Sequence, residues 1–237
     1  MFELSSVNVD IFSEGTTKSI HGEHLLIKTL PKAFELRYGS IPKTIFVRDC
    51  YRELYEIATD SMVDASLDYC ATLFTGVPGI GKSLFMVYFI SRFLVDERFT
   101  DKSFALEFIA GKYVYFQPTG KDGEFWCSLQ DGTLMLSKDF LLLCDIVDTT
   151  EPVSRAKWTY IFSSPDPKRY KEILKNSPSM EYTLPTWSEL ELMILSADKP
   201  VGEWYDDFVL FGGVPRYIFN PLHQGQRSSQ SLKQSPE

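Results

Sequence analysis

Gly76, Gly79, Gly81, Lys82 and Ser83 fall in the spacing G-x-x-x-x-G-K-S within LFTGVPGIGKSLFMVYF, residues 73–89. Residue types in that order suit the binding of a polyphosphate. The glycines accept positive φ and carry no Cβ, so successive backbone N–H groups can turn inward around phosphate oxygens. Lys82 adds a long, mobile ammonium that reaches the β and γ phosphates, and the Ser83 hydroxyl is placed to ligate a magnesium ion bridging the same oxygens. The expected nucleotide-binding segment is Gly76, Val77, Pro78, Gly79, Ile80, Gly81, Lys82, Ser83 and Leu84. The plainer alternative is a glycine turn with no ligand; all five positions being filled favours the nucleotide.

Such a loop needs a buried strand entering it and a helix leaving it, because the helix N-terminus supplies free N–H groups and a positive dipole end. YCATLFT, residues 69–75, reads as that strand, and residues 83–96, apolar all round except Ser91 and Arg92, as a covered helix. A second strand is FLLLCDIVD, residues 140–148, whose apolar run ends in Asp145, 63 residues after Lys82. An acid emerging at the C-terminal edge of a parallel strand, where α/β sheets bind ligands, can hold the metal opposite Ser83. It can also simply end a strand. The next residue is Ile146, where ATPases of the additional-strand class usually carry a glutamate; Asp148 or Glu151 could activate water instead, each reading equally as a solvated loop acid. WTYIFS, residues 158–163, reads as a neighbouring strand ending in Ser163-Ser164-Pro165. Ser164 reads equally as a γ-phosphate sensor or as part of a turn. Arg216 follows the sharp turn Gly212-Gly213-Val214-Pro215 and reads either as a group approaching the γ-phosphate or as a surface arginine.

The remaining chain must position these groups. Asp49 opens a helix, DCYRELYEIATDSM, with Tyr51, Leu54, Tyr55 and Ala58 on one face. Residues 104–109 and 112–117 read as strands, and Asp122-Gly123 and Asp131-Gly132 mark turns of a hairpin insertion near residues 111–136. PKRYKEILKN reads as one helix, Ser188 and Glu191 form a capping box, and residues 204–210 read as another short helix. The first forty residues have weak periodicity and read as an irregular arm, with His21 and His24 read as a solvated loop in preference to a metal pair, because Gly22 lies between them and no cysteine is near. Past Pro221 the chain is almost devoid of apolar residues and is expected to be disordered.

A formal charge of −8 argues against broad attraction to nucleic acid, leaving only a local basic groove open. Four widely spaced cysteines argue against a disulfide framework or zinc site and for an intracellular setting. The N-terminus has no ordinary secretory signal, and the longest apolar run is too short to cross a bilayer.

FVRDCYRELYEI, FTGVPGIGKSLF, CDIVD, YIFSSPDPKRYKE, LPTWSELEL and FGGVPRYIF occur in that order across residues 45–219. Together they resemble the P-loop ATPase module of Crinkler effectors of oomycetes and fungi and of the related retrotransposon hot spot proteins of trypanosomes. The resemblance implies ATP binding by Gly76 to Ser83, magnesium ligation by Asp145, and sensor roles near Ser164 and Arg216. It also implies a nuclear setting, in the host cell for effectors, and frequent fusion to a C-terminal nuclease-like domain. This chain shows no LFLAK-type translocation segment and stops before a nuclease could fit, so a fragment or a lone nucleotide module is expected.

The expected architecture is a three-layer α/β P-loop NTPase with a mainly parallel sheet, a hairpin insertion and a partial helical lid. Its expected organisation is an arm (1–44), core (45–184), lid (185–219) and tail (220–237). Its expected function is Mg-ATP binding with slow hydrolysis, with Lys82, Asp145, Asp148 and Arg216 carrying the chemistry. The rivals are a nucleotide-gated interaction module and, behind it, a small-molecule kinase.

Overall fold

Strands apolar on both sides need cover on both sides, and the chain gathers its most apolar runs at the centre of one sheet. The computed structural model describes residues 5–8, 16–19, 22–26, 44–63, 70–109, 112–119, 124–131, 139–145, 156–175, 178–196 and 201–219. Strands β1 (Ser5–Asn8), β2 (Thr16–Ser19), β3 (Gly22–Leu26) and β4 (Thr44–Phe46) precede helix α1 (Asp49–Val63). Strand β5 (Cys70–Thr75) and helix α2 (Lys82–Phe93) flank the glycine loop. Strands β6 (Ser103–Ile109), β7 (Lys112–Pro118), β8 (Glu124–Asp131), β9 (Phe140–Asp145) and β10 (Trp158–Phe162) follow. The remainder is helix α3 (Lys171–Lys175), strand β11 (Ser179–Thr183), and helices α4 (Glu189–Leu195), α5 (Val201–Phe211) and α6 (Pro215–Phe219).

The fold is α/β. Its large sheet has the order β1-β8-β7-β6-β9-β10-β5-β11. Strands β6, β9, β10, β5 and β11 are parallel, and β7, β8 and β1 extend the β6 edge by antiparallel pairing. A crossover is therefore needed to place β10 between β5 and β9, and it brings the C-terminal ends of all three strands to one edge, with Phe162 level with both Phe74 and Asp145.

Alternation along these strands separates two cores. Phe74, Leu141, Leu143, Trp158, Tyr160 and Phe162 point toward α1 and α2, while Leu73, Leu142, Cys144 and Ile161 point to the opposite face with Tyr170 and Leu174. The first core is an aromatic lattice. The Phe85 ring lies 5.1 Å from both Tyr51 and Phe74, and Phe89 lies 4.9 Å from Tyr55. Tyr160 donates its hydroxyl to the Ala58 carbonyl at 2.6 Å, satisfying the polar end of a ring buried under α1.

Several expectations need correction. The residues read as a hairpin insertion do form an antiparallel hairpin, β7 and β8, but it extends the main sheet, because β6 leaves an open edge to continue and β1 pairs onto β8. The stretch read as an irregular arm carries β1, β2 and β3, with β2, β3 and β4 forming a separate antiparallel sheet. Gly22 and His24 lie on β3, not in a loop, and His21 is outside the described residues. PKRYKEILKN divides into a 3-10 turn, Pro167–Arg169, capped by the Asp166 side chain, and the five-residue α3. The helix read over 204–210 starts earlier, at Val201. The tail past Pro221 lies outside the described residues. No helix among the described residues is long and apolar enough to cross a membrane.

Candidate functional site

The glycine loop leaves β5 at the C-terminal edge of the sheet and enters α2 at Lys82. Its backbone has positive φ at Gly76, Gly79 and Gly81 (142°, 86° and 105°). Gly79 is the most demanding, because it is left-handed and a Cβ there would sit 2.5 Å from Arg216 Cβ. Ile80 is fully buried and pins the loop to the core, while Phe85 N–H donates to the Gly81 carbonyl at 2.9 Å and starts the helix. Gly81 occupies the cap position and no side chain caps the first turn of α2. That leaves backbone donors and the positive end of the helix dipole facing the loop.

Four of the expected groups, Lys82, Ser83, Asp145 and Arg216, converge here. Lys82 folds back over the loop, donating its ammonium to the carbonyls of Gly76 at 2.7 Å and Val77 at 3.1 Å. Ser83 donates its hydroxyl to Asp145 Oδ2 at 2.9 Å, bridging the start of α2 to the end of β9. Arg216, on α6, packs its side chain against Gly79. Partial burial lowers the Lys82 ammonium below its ordinary pKa, the nearby Arg216 charge acts the same way, and Asp145 opposes them. Ser164 is half-buried just past the tip of β10, and its carbonyl accepts from Asp166 N–H at 2.7 Å. Asp148, with Ile146 and Glu151, lies outside the described residues.

Ser163, read with Ser164 at the strand tip, is buried at the end of β10, and its hydroxyl meets no partner among the described residues. Other groups at this edge escaped the sequence reading. Thr75 is buried at the end of β5, and its hydroxyl likewise meets no partner among the described residues. Arg48 is 2% exposed and sits between β4 and α1. Its neighbours Tyr51 and Trp187 touch the back of the loop: Tyr51 donates its hydroxyl to the Gly81 carbonyl at 3.1 Å, and Trp187 Nε1 donates to the Ile80 carbonyl at 2.9 Å. An arginine preceding an acid-capped helix normally signals a solvated start, so nothing local marks it as buried. The one available signal was its placement between Val47 and a run containing two tyrosines.

The capping box is present in both halves, Ser188 accepting from Glu191 N–H and Glu191 from Ser188 N–H. Burial would raise the Glu191 carboxyl, but hydrogen bonds from Arg48 and Ser188 outweigh that and hold it below the usual range. Burial likewise pushes the Cys50 thiol, beside Arg48, up to about 11.

With this geometry in view, the chain is similar to two curated proteins of Phytophthora infestans, Crinkler effector protein 15 and Crinkler effector protein 16. Each is 24% identical over 194 residues, covering 75% of this chain and 29% of the relative. The chain thus spans less than a third of the length of these relatives. No protein-family model matches the chain, and no solved structure matches it.

Proposed function

We propose that this chain is a P-loop module that binds Mg-ATP and hydrolyses it slowly, of the kind found in Crinkler effectors and retrotransposon hot spot proteins. The observation that carries the reading is the Ser83–Asp145 hydrogen bond at 2.9 Å, set between a lysine and a helix start with no side-chain cap. A hydroxyl and a carboxylate in that relation are two oxygen ligands for a small hard cation, and the strand order placing β10 between β5 and β9 suits the additional-strand class. Ser83 and Asp145 would hold magnesium, which when bound neutralises phosphate charge. Gly76 to Leu84 would bind the phosphates through main-chain N–H groups, and Lys82 would exchange its two carbonyl partners for phosphate oxygens. Ser164 and Arg216 are the γ-phosphate sensors of this reading. The apolar Ile146 after Asp145 is the reason hydrolysis is slow, with Asp148 or Glu151 left to orient water.

A second reading, a nucleotide-gated interaction module with vestigial turnover, draws on the same Ile146 and on the contact of α6 with the loop. In either reading the protein partner, a C-terminal nuclease-like domain outside this chain and a nuclear setting in a host cell come from the resemblance. The kinase reading ranks last.

Titration with a fluorescent adenine triphosphate analogue, with and without magnesium, tests the proposal. Saturable binding is expected, weakened at least tenfold by Lys82→Ala as for loss of a charge-assisted contact, with its magnesium dependence removed by Asp145→Asn. No saturable signal in either condition overturns the reading. Single-turnover phosphate release then separates ATPase from switch: tight binding without release selects the switch.

A further inference from the structure

Behind the loop lies a cluster that nucleotide chemistry does not use. A buried guanidinium is costly unless every face of it is partnered, and Arg48 is partnered throughout. Its Nε and Nη2 donate to the two carboxylate oxygens of Glu191 at 2.8 and 3.2 Å. Nη1 donates to the Pro185 carbonyl and Nη2 to the Thr186 carbonyl, each at 3.0 Å. The guanidinium carbon lies 4.8 Å from the Trp187 ring centroid and 5.8 Å from that of Tyr51. One rigid cation therefore fixes the strap over residues 184–191 and orients both rings whose polar atoms grip the loop at Ile80 and Gly81. The strap is tied in turn to the turn before α6. Trp187 N–H donates to the Gly213 carbonyl at 2.8 Å, and Gly213 approaches so closely that a Cβ would overlap the Trp187 carbonyl.

We infer that Arg48 is a positioning residue that makes the glycine loop, the strap and helix α4 respond as one body, so that a polyphosphate seated on the loop is felt at α4. The inference rests on the nucleotide reading, because a loop that takes no ligand has nothing to transmit. Arg48 acts through Trp187, which supplies the direct bond to the loop, and through Glu191, which also closes the capping box of α4.

Amide hydrogen exchange on the full chain, with and without the magnesium-bound fluorescent analogue, tests the inference. Trp187→Phe keeps a ring but loses the donor to Ile80, and Arg48→Lys keeps the charge but loses the planar fork. Without ligand, Trp187→Phe is expected to speed exchange of the amides of residues 79–84 about fivefold, as for one hydrogen bond, leaving those of β9 unchanged. With ligand, wild type is expected to show slowed exchange in α4, and both variants to lose that slowing while still binding the analogue. Unchanged loop exchange in Trp187→Phe, or slowing of α4 that persists in that variant, overturns the inference, and Trp187→Phe decides the matter should Arg48→Lys fail to fold. If wild type binds no analogue, the nucleotide reading and the transmission that rests on it both fall; binding with no variant effect removes the transmission alone.

Discussion

The glycine loop has two sides held in different ways. Behind it, Tyr51 and Trp187 reach the carbonyls of Gly81 and Ile80 with neutral donors, both rings are buried, and the adjoining Phe85 is fully enclosed by aromatic neighbours. In front, Lys82, Ser83, Asp145 and Arg216 meet through charged or hydroxyl groups that are only partly buried, and Arg216 is exposed. At the back the bonds that reach the loop are neutral and the buried Arg48 that positions them is paired with Glu191, whereas at the front half-buried charges held near one another are restrained against their preference for water. The difference teaches that placement and polarity are separable here: the back sets where the loop stands, and the front carries the polar groups least tied down by packing.

Substitutions rank this contrast. Phe85→Ala, on the back, is expected to cost about 3–5 kcal/mol as a large cavity in an aromatic core, lowering the melting temperature by about 6–20 °C; a fall of under about 3 °C would mean the lattice is loosely packed. Gly213→Ala is next, at about 1–3 kcal/mol, because the new methyl must push Trp187 and its strap away from the turn before α6. Urea unfolding measures it, and a neutral result would show that the strap yields freely. Tyr51→Phe removes only the hydroxyl that meets Gly81 and is expected to cost about 1 kcal/mol in the same assay.

The far end of the back brace offers a test by pH. The Arg98 side chain holds the Asp96 carboxyl down to about 2, helped by the Arg98 backbone N–H and the Tyr55 hydroxyl, which together outweigh the effect of burial. A folded value below the ordinary carboxylate range means this stabilisation is complete above about pH 4 and is lost as pH falls toward 2. Asp96→Asn is expected to flatten the acid limb of the stability curve between those limits; an unchanged limb would assign acid lability to other carboxylates. On the front, Lys82→Ala is expected to move the melting temperature least, within about 2 °C in either direction, because burial already disfavours the ammonium it removes. A drop as large as that of Phe85→Ala would make the lysine part of the scaffold and erase the distinction between the two sides.

The strand and helix around the loop were legible because both are short, strongly apolar segments with glycine punctuation, and Cys70–Thr75 and Lys82–Phe93 form where the pattern places them. The capping box at Ser188 and Glu191 was legible for the same local reason. The hairpin near residues 111–136 forms, but its place in the main sheet was not legible, because turn chemistry marks where a chain reverses and not which sheet receives the strands; only an open edge at β6 decides that. Arg48 was illegible because burial of a cation depends on partners 137 to 143 residues away.

By itself, then, the sequence determined the loop, its flanking elements and the types of polar group around it, since backbone freedom, apolar periodicity and capping act over a few neighbouring residues. Only the tertiary structure decided that Ser83 meets Asp145, that Arg216 rests on Gly79 and that Arg48 grips the strap. Those contacts join segments far apart in the chain, and which of many competing long-range pairings forms is settled by strand order and core packing.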